Sequence, residues 1–257
     1  MIPKRIFYVW GYNEPKSRMT EICIENWRLM LPGYEIIEVN ENSPYFDFEY
    51  EYSNCLWFKT VYDLKMWASV SDYMRVKVLH DQGGIYFDTD VTVYKDFEPL
   101  LGYKMFIGNS LFNLLEPAVF GAEKGRPVLN SVIEFYHDEI WKSSRFQIPD
   151  ILTNLINNGI YDDIRIFPYE YFSPFHPFQQ FTYKYITENT YAVHWCNASW
   201  FIKKYFYFLT NKHRIPLKTL LRQMKFIELH DPKADSRIFL DDVPELKGKL
   251  PRQFTQK

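Results

Sequence analysis

The stretch Gly83-Gly84-Ile85-Tyr86-Phe87-Asp88-Thr89-Asp90-Val91 decides the fold. Glycine tolerates the left-handed exit from a helix, so the pair Gly83-Gly84 predicts a helix end. Ile85, Tyr86 and Phe87 then make a short apolar strand. Asp88 and Asp90 stand at its carboxyl end, where ligands collect in open α/β sheets. Two carboxylates one residue apart form a compact pair of hard oxygen ligands. Mg²⁺ and Mn²⁺ prefer such ligands and commonly share their coordination with substrate phosphates.

Upstream, Val61, Leu64, Ala68, Val76 and Leu79 recur at helical spacing and predict a helix from about Leu56 to His80. Asp72 and Arg75 lie three apart on one face of it. Asp72 can accept hydrogen bonds from sugar hydroxyls, and Arg75 can donate to sugar or phosphate. The alternative is an ordinary ion pair on a solvated face. Earlier still, Arg5 to Trp10 is β-branched and aromatic and predicts a first strand, and Ser17 is placed to cap a helix that runs to about Leu31. Glu35 to Asn40 predicts the second strand, so the first 40 residues make a βαβ unit. Downstream, Val91–Val93, Ile164–Phe167 and Thr190–His194 predict strands. Val128–Tyr136 and Pro149–Asn157 predict helices.

A chain of 257 residues suffices for one large α/β domain or two small ones. Its 7 Trp, 20 Tyr and 22 Phe suit either a core of large side chains or stacking on sugar rings and bases. A net charge of −2 gives no global pull toward nucleic acid. Cys23, Cys55 and Cys196 are widely spaced with no CxxC pair, which argues against a disulfide framework and fits a reducing compartment. The apolar run Ile6–Trp10 is too short for a signal-peptide core, and no later stretch reaches spanning length without charges. A cytoplasmic protein is expected.

Between Glu188 and Glu228 there is no acidic residue, but Lys203, Lys204, Lys212, Arg214, Lys218, Arg222 and Lys225 occur, with Tyr205 to Phe208 among them. This segment reads either as a solvated helical face or as a peripheral contact with the inner face of the plasma membrane, where lipid-linked acceptors reside. The expected division is a catalytic domain over residues 1–205 and a helical, basic extension over 206–257 packed on the same domain.

Ser71-Asp72-Tyr73-Met74-Arg75, followed by Gly83 to Asp90, resembles the signature of glycosyltransferase family 32. That family includes bacterial capsule sugar transferases and is distantly similar to the glucosylating clostridial toxins. Ile2 to Gly11, Pro149 to Thr153, Pro168 to Phe172, Thr190 to His194 and Ser199-Trp200 are similar too, in order, so the resemblance covers about residues 2 to 200.

The resemblance implies a GT-A fold with a mixed, largely parallel sheet flanked by helices. It also implies retaining transfer of a hexose from a nucleotide sugar, with a UDP donor favoured, to a saccharide acceptor in surface or capsular polysaccharide synthesis. Asp72, Arg75, Asp88 and Asp90 would form the catalytic centre. Tyr8, Trp10, Tyr86, Ser199 and Trp200 would join Asp72 and Arg75 in binding the donor, with Trp10 stacked on the base. Asp88, Asp90 and His194 would form the Mn²⁺ or Mg²⁺ set, Asp88 also reaching the sugar or ribose. Where relatives often carry a second histidine and a tryptophan after this histidine, the present chain has Trp195 and Cys196.

Two other classes fit parts of the pattern. Asp88-Thr89-Asp90-Val91-Thr92 matches the DxDxT motif of haloacid-dehalogenase-type phosphatases, with Asp88 as covalent nucleophile and Asp162-Asp163 or Asp241-Asp242 as the later acidic pair. That family normally carries the motif on its first strand. A non-catalytic carbohydrate-binding module holding Ca²⁺ would also use the acidic pair and the aromatics.

Overall fold

The computed structural model describes residues 1–10, 15–111, 113–143, 145–175 and 181–196. Strand β1 (Arg5–Val9), helix α1 (Arg18–Met30) and strand β2 (Glu35–Val39) form the expected βαβ unit, with β1 and β2 parallel. Ser17 caps α1 by accepting from the Thr20 N–H at 3.1 Å. The predicted long helix is two pieces, α3 (Leu56–Asp63) and α4 (Trp67–Gln82), and an unexpected short helix, α2 (Phe48–Asn54), precedes them. The break falls at Lys65, whose φ of +54° ends α3 and lets Met66 start α4 in a new direction. Gly83 closes α4 at φ +65°, as its position predicts.

The chain then enters β3 (Gly84–Phe87), followed by β4 (Val91–Val93), β5 (Met105–Asn109) and β6 (Leu115–Ala122). Helices α5 (Pro127–Glu134) and α6 (Ile148–Asn158) come next, then β7 (Ile164–Phe167) and β8 (Ala192–His194). Six strands form one sheet in the order β2-β1-β3-β6-β5-β7, and β4 pairs with β8 in a second, two-stranded sheet. Within the large sheet, β1–β2, β1–β3 and β5–β7 run parallel, while β3–β6 and β5–β6 run antiparallel. The expected α/β architecture, a mixed and mostly parallel sheet flanked by helices, is thus the one observed.

The sheet is apolar on both faces, which is why its strands read as runs rather than alternations. Phe7, Val9, Tyr86, Ile107 and Phe120 pack on one side with Trp57 and Phe58 of α3, Val76 and Leu79 of α4, and Leu129 and Leu152 of α5 and α6. Ile6, Tyr8, Ile85, Phe87 and Val119 pack on the other with Ile22, Cys23 and Trp27 of α1 and Val91 and Val193 of the small sheet. The small sheet is tied down by three buried bonds from α1: the Trp27 indole N–H donates to the Val91 carbonyl at 2.7 Å, and Asn26 both accepts from the Val93 N–H at 2.6 Å and donates to the Val93 carbonyl at 3.2 Å. No helix among the described residues is long and apolar enough to cross a membrane. Residues 206–257, and with them the boundary at 205, lie outside the described residues.

Candidate active site and metal centre

Asp88 leaves the end of β3 with its N–H donating to the Ala118 carbonyl at 2.8 Å. One turn of chain later β4 begins, and its partner β8 carries His194 directly opposite Val91. The pairing brings residues over a hundred positions apart to one point. Asp88, Asp90 and His194 each offer a ligand atom, and these lie within 4.8 Å of one another. His194 Nε2 stands 3.4 Å from Asp90 Oδ1. Two carboxylates and an imidazole form a donor set that suits Mn²⁺ or Mg²⁺ and leaves positions for phosphate oxygens.

Arg75 is buried, its side chain only 7% exposed, so the solvated-face alternative does not hold. Its Nη2 lies 3.0 Å from Asp88 Oδ1 and 3.2 Å from Asp72 Oδ1, and its Nη1 lies 3.2 Å from Asp88 Oδ2. The remaining donors reach backbone and hydroxyl acceptors: Nη1 to the Pro117 carbonyl at 3.1 Å, Nε to the Ser71 carbonyl at 3.2 Å, and Nη2 to Ser71 Oγ at 3.0 Å. The guanidinium also rests over the Tyr86 ring, 4.6 Å from its centroid, while the Tyr86 hydroxyl donates to Asp88 Oδ1 at 3.0 Å. A buried cation is tolerable only when so fully paired.

This packing shifts the ionisation of the carboxylates. Burial, with the charge of Asp88 adding to it, pushes Asp72 up to about 6 against the opposing pull of Arg75. Burial and the neighbouring Asp90 raise Asp88 despite Arg75. For His194 burial works against the charged form, but Cys196 and Asp90 outweigh it and hold the imidazole well above its ordinary value.

One residue of the site, Glu116, carries no signal in the sequence. Between Ile107 and Gly108 of β5 the register against β6 slips from Phe120 to Glu116, a bulge that frees the Pro117 carbonyl for Arg75. The same bulge places Glu116 Oε1 3.2 Å from His194 Nδ1. Cys196, at φ +50°, turns its sulfur back to 3.5 Å from the same nitrogen. A lone carboxylate beside a proline has no motif to announce it, and its role appears only with the bulge.

Of the expected site residues, Asp72, Arg75, Tyr86, Asp88, Asp90 and His194 converge. Tyr8 and Trp10 lie at the carboxyl end of the adjoining strand β1. Tyr8 is buried with its hydroxyl on Glu38 Oε2 at 2.8 Å, while Trp10 is half-buried and its backbone N–H donates to the Val39 carbonyl. Ser199 and Trp200 lie outside the described residues. The phosphatase pattern fares poorly: both oxygens of Asp88 are held by Arg75, and the strand it follows is third in the chain, not first. Of its acidic pairs, Asp163 is bound to Arg126, and Asp241-Asp242 lies outside the described residues.

Residues 17–107 match the family model described as glycosyltransferase sugar-binding region containing DXD motif. The matched segment runs from the cap of α1 through the Asp88–Asp90 pair into β5. Among curated proteins, the chain is 29% identical over 136 residues to inositol phosphoceramide mannosyltransferase 3 of Schizosaccharomyces pombe; the aligned part is 51% of this chain and 36% of that protein. The chain therefore spans about a third of the curated relative it matches.

Solved structures similar to it include the PaToxG glycosyltransferase, with TM-score 0.49 and 18% identity over 62% of this chain and 69% of that one. The galactosyltransferase LgtC, in complex with donor and acceptor sugar analogues, gives TM-score 0.43 and 14% identity over 83% of this chain and 98% of that one. The glycosyltransferase GlyE of Streptococcus pneumoniae gives TM-score 0.45 and 13% identity over 75% of this chain and 55% of that one.

Proposed function

We propose that this chain is a metal-dependent glycosyltransferase of the GT-A type that moves a hexose, with retention, from a nucleotide sugar to a saccharide acceptor. One observation carries the reading: Asp88, Asp90 and His194 converge at the end of a central strand, and the two aspartates belong to a segment that matches the DXD sugar-binding region. The fold supplies a sheet whose strand ends present that cluster beside a fully paired arginine.

Asp90 and His194, with Asp88 beside them, would hold Mn²⁺ or Mg²⁺. Bound there, the ion would neutralise charge gathering on the departing diphosphate. Arg75 fixes Asp88 in place and compensates its charge, so the pocket need not reorganise when substrate arrives. Asp72 accepts from donor hydroxyls, and its elevated pKa reflects the dry surroundings such recognition needs. Trp10 offers a ring for the base. In front-face retention the bond from the anomeric carbon to diphosphate oxygen breaks, the acceptor oxygen bonds on the same face, and its proton passes to the leaving diphosphate. No protein base is then required.

The donor we favour is a UDP-hexose and the acceptor a surface or capsular polysaccharide, on the resemblance of residues 2–200 to capsule-type transferases. The relative named as acting on inositol phosphoceramide makes a lipid-linked acceptor the competing case, and contact of the basic 203–225 segment with an anionic membrane would serve it.

Titration calorimetry of UDP, GDP and their hexoses, with Mn²⁺ and with EDTA, on wild type and Asp90→Ala is the test. Manganese-dependent binding of one nucleotide, lost in the variant, establishes donor class and metal role together. No nucleotide binding under any condition sinks the reading.

A further inference from the structure

We infer that Glu116 is a positioning residue that orients the His194 imidazole, so that Nε2 faces Asp90 and a bound ion while Nδ1 keeps its proton. The inference deepens the proposed transferase reading and rests on it for the purpose of the metal. It rests on geometry for the residue itself.

The imidazole stands between two acidic groups, Asp90 Oδ1 at 3.4 Å from Nε2 and Glu116 Oε1 at 3.2 Å from Nδ1. A ring nitrogen that binds a metal must be unprotonated, so the proton has to sit on the other one. Carboxylates commonly hold that second N–H of a ligating histidine, fix the ring and raise its basicity. Glu116 is well set for this task. It comes from β6 at the bulge, a rigid element, and the adjoining Leu115 N–H donates to Thr153 Oγ1 of α6 at 2.9 Å. His194 is itself anchored through its backbone, the N–H donating to the Phe172 carbonyl at 2.9 Å. The ring has one remaining freedom, rotation about its side-chain bonds, and Glu116 removes it.

Cys196 Sγ also approaches Nδ1, at 3.5 Å. A thiol is a weak acceptor, whereas a carboxylate forms the charge-assisted bond that locks the ring. Glu116 is thus the better partner, and the two candidates make opposite predictions.

The experiment uses the full chain and Mn²⁺ alone as probe, read by electron paramagnetic resonance for affinity and by electron spin echo modulation for coordinated imidazole nitrogen. Wild type is expected to show the nitrogen signal. Glu116→Ala is expected to lose affinity by about 10- to 100-fold and to weaken the nitrogen signal, as a broken outer partner does. Glu116→Gln, whose carbonyl still accepts from Nδ1–H, is expected to recover most of both.

Glu116→Ala binding Mn²⁺ like wild type with the nitrogen signal intact overturns the inference. So does a loss produced by Cys196→Ala and not by Glu116→Ala, or a Gln variant that recovers nothing. The two failures are separable. A wild type that shows the nitrogen signal and its dependence on Glu116, yet transfers no sugar, sinks the transferase reading and leaves the positioning role standing.

Discussion

Arg75 meets both carboxylate oxygens of Asp88, at 3.0 and 3.2 Å, whereas Asp90 faces the imidazole of His194 at 3.4 Å. The two aspartates of one short motif therefore have different duties. Asp88 is chiefly the counter-charge of a buried cation, and Asp90 would be the better-placed ligand for the proposed metal.

Substitution should separate those duties. Asp90→Asn is expected to lower Mn²⁺ affinity at least tenfold while costing less unfolding stability than Asp88→Asn, since it leaves the ion pairs of Arg75 with Asp72 and Asp88 in place. Asp88→Asn is expected to cost roughly 3 kcal/mol, the low end for breaking a buried pair, because Asp72 still serves the guanidinium. Urea unfolding and metal titration of the two variants check this. Equal stability losses would show that the duties are shared.

Removing the cation should be worse than removing one anion. Arg75→Met leaves Asp72 and Asp88 buried near each other with no compensating charge, which is expected to cost about 3 to 5 kcal/mol. Chemical denaturation monitored by tryptophan fluorescence gives the number. A loss below about 1 kcal/mol would mean that the pair is better solvated than its burial indicates.

Asp72 sets a pH dependence whose sign follows from its raised pKa. Its folded value of about 6 exceeds the ordinary carboxylate value, so the native state binds the extra proton between pH 4 and 6. Its contribution is complete below pH 4 and is lost as pH rises through 6, an effect of about 3 kcal/mol at most. Asp72→Asn cannot titrate. Its stability relative to wild type should therefore improve on going from pH 4 to pH 7.5, with metal and nucleotide absent. A difference in melting temperature that stays flat across that range would refute the assignment.

Gly84 has φ +134°, and a Cβ there would lie 2.9 Å from the Arg5 carbonyl oxygen and 2.9 Å from the Phe7 ring. Both neighbours belong to β1, the strand paired with β3. Gly84→Ala is expected to cost about 3 kcal/mol through overpacking and backbone strain, and to loosen the strand that carries Asp88. Thermal unfolding would register it. Gly33→Ala, where nothing lies within 4 Å, is the control and should fall near wild type.

The sequence declares the features governed by local chemistry. Ser17 as a helix cap, Gly83 as a helix end and the apolar strand before Asp88 are each legible within a few residues, whereas His194 is marked only by the family resemblance. Less legible are features whose cause is distant. Lys65 takes a left-handed φ with no glycine to mark it, so the helical spacing runs on unbroken through the gap between α3 and α4. Strands β5 and β6 are buried on both faces and show no alternation, and Pro117 argues against a strand at that point until the bulge accommodates it. Glu116 is invisible for the same reason. Its partner is 78 positions away, and only the register of two pairs of strands makes them neighbours.

The pairing of β4 with β8 has a consequence for synthesis on the ribosome. Trp195 seals that pairing, its N–H on the Asp90 carbonyl and its indole on Thr92 Oγ1, both at 2.9 Å. Asp88 and Asp90 emerge early, but the imidazole that completes their cluster follows about a hundred residues later. Long-range pairings of this kind close last, because the intervening chain must first give up its freedom. A nascent chain long enough to show the aspartates therefore holds only part of the centre, and the protein gains the whole of it only when its last described strand docks.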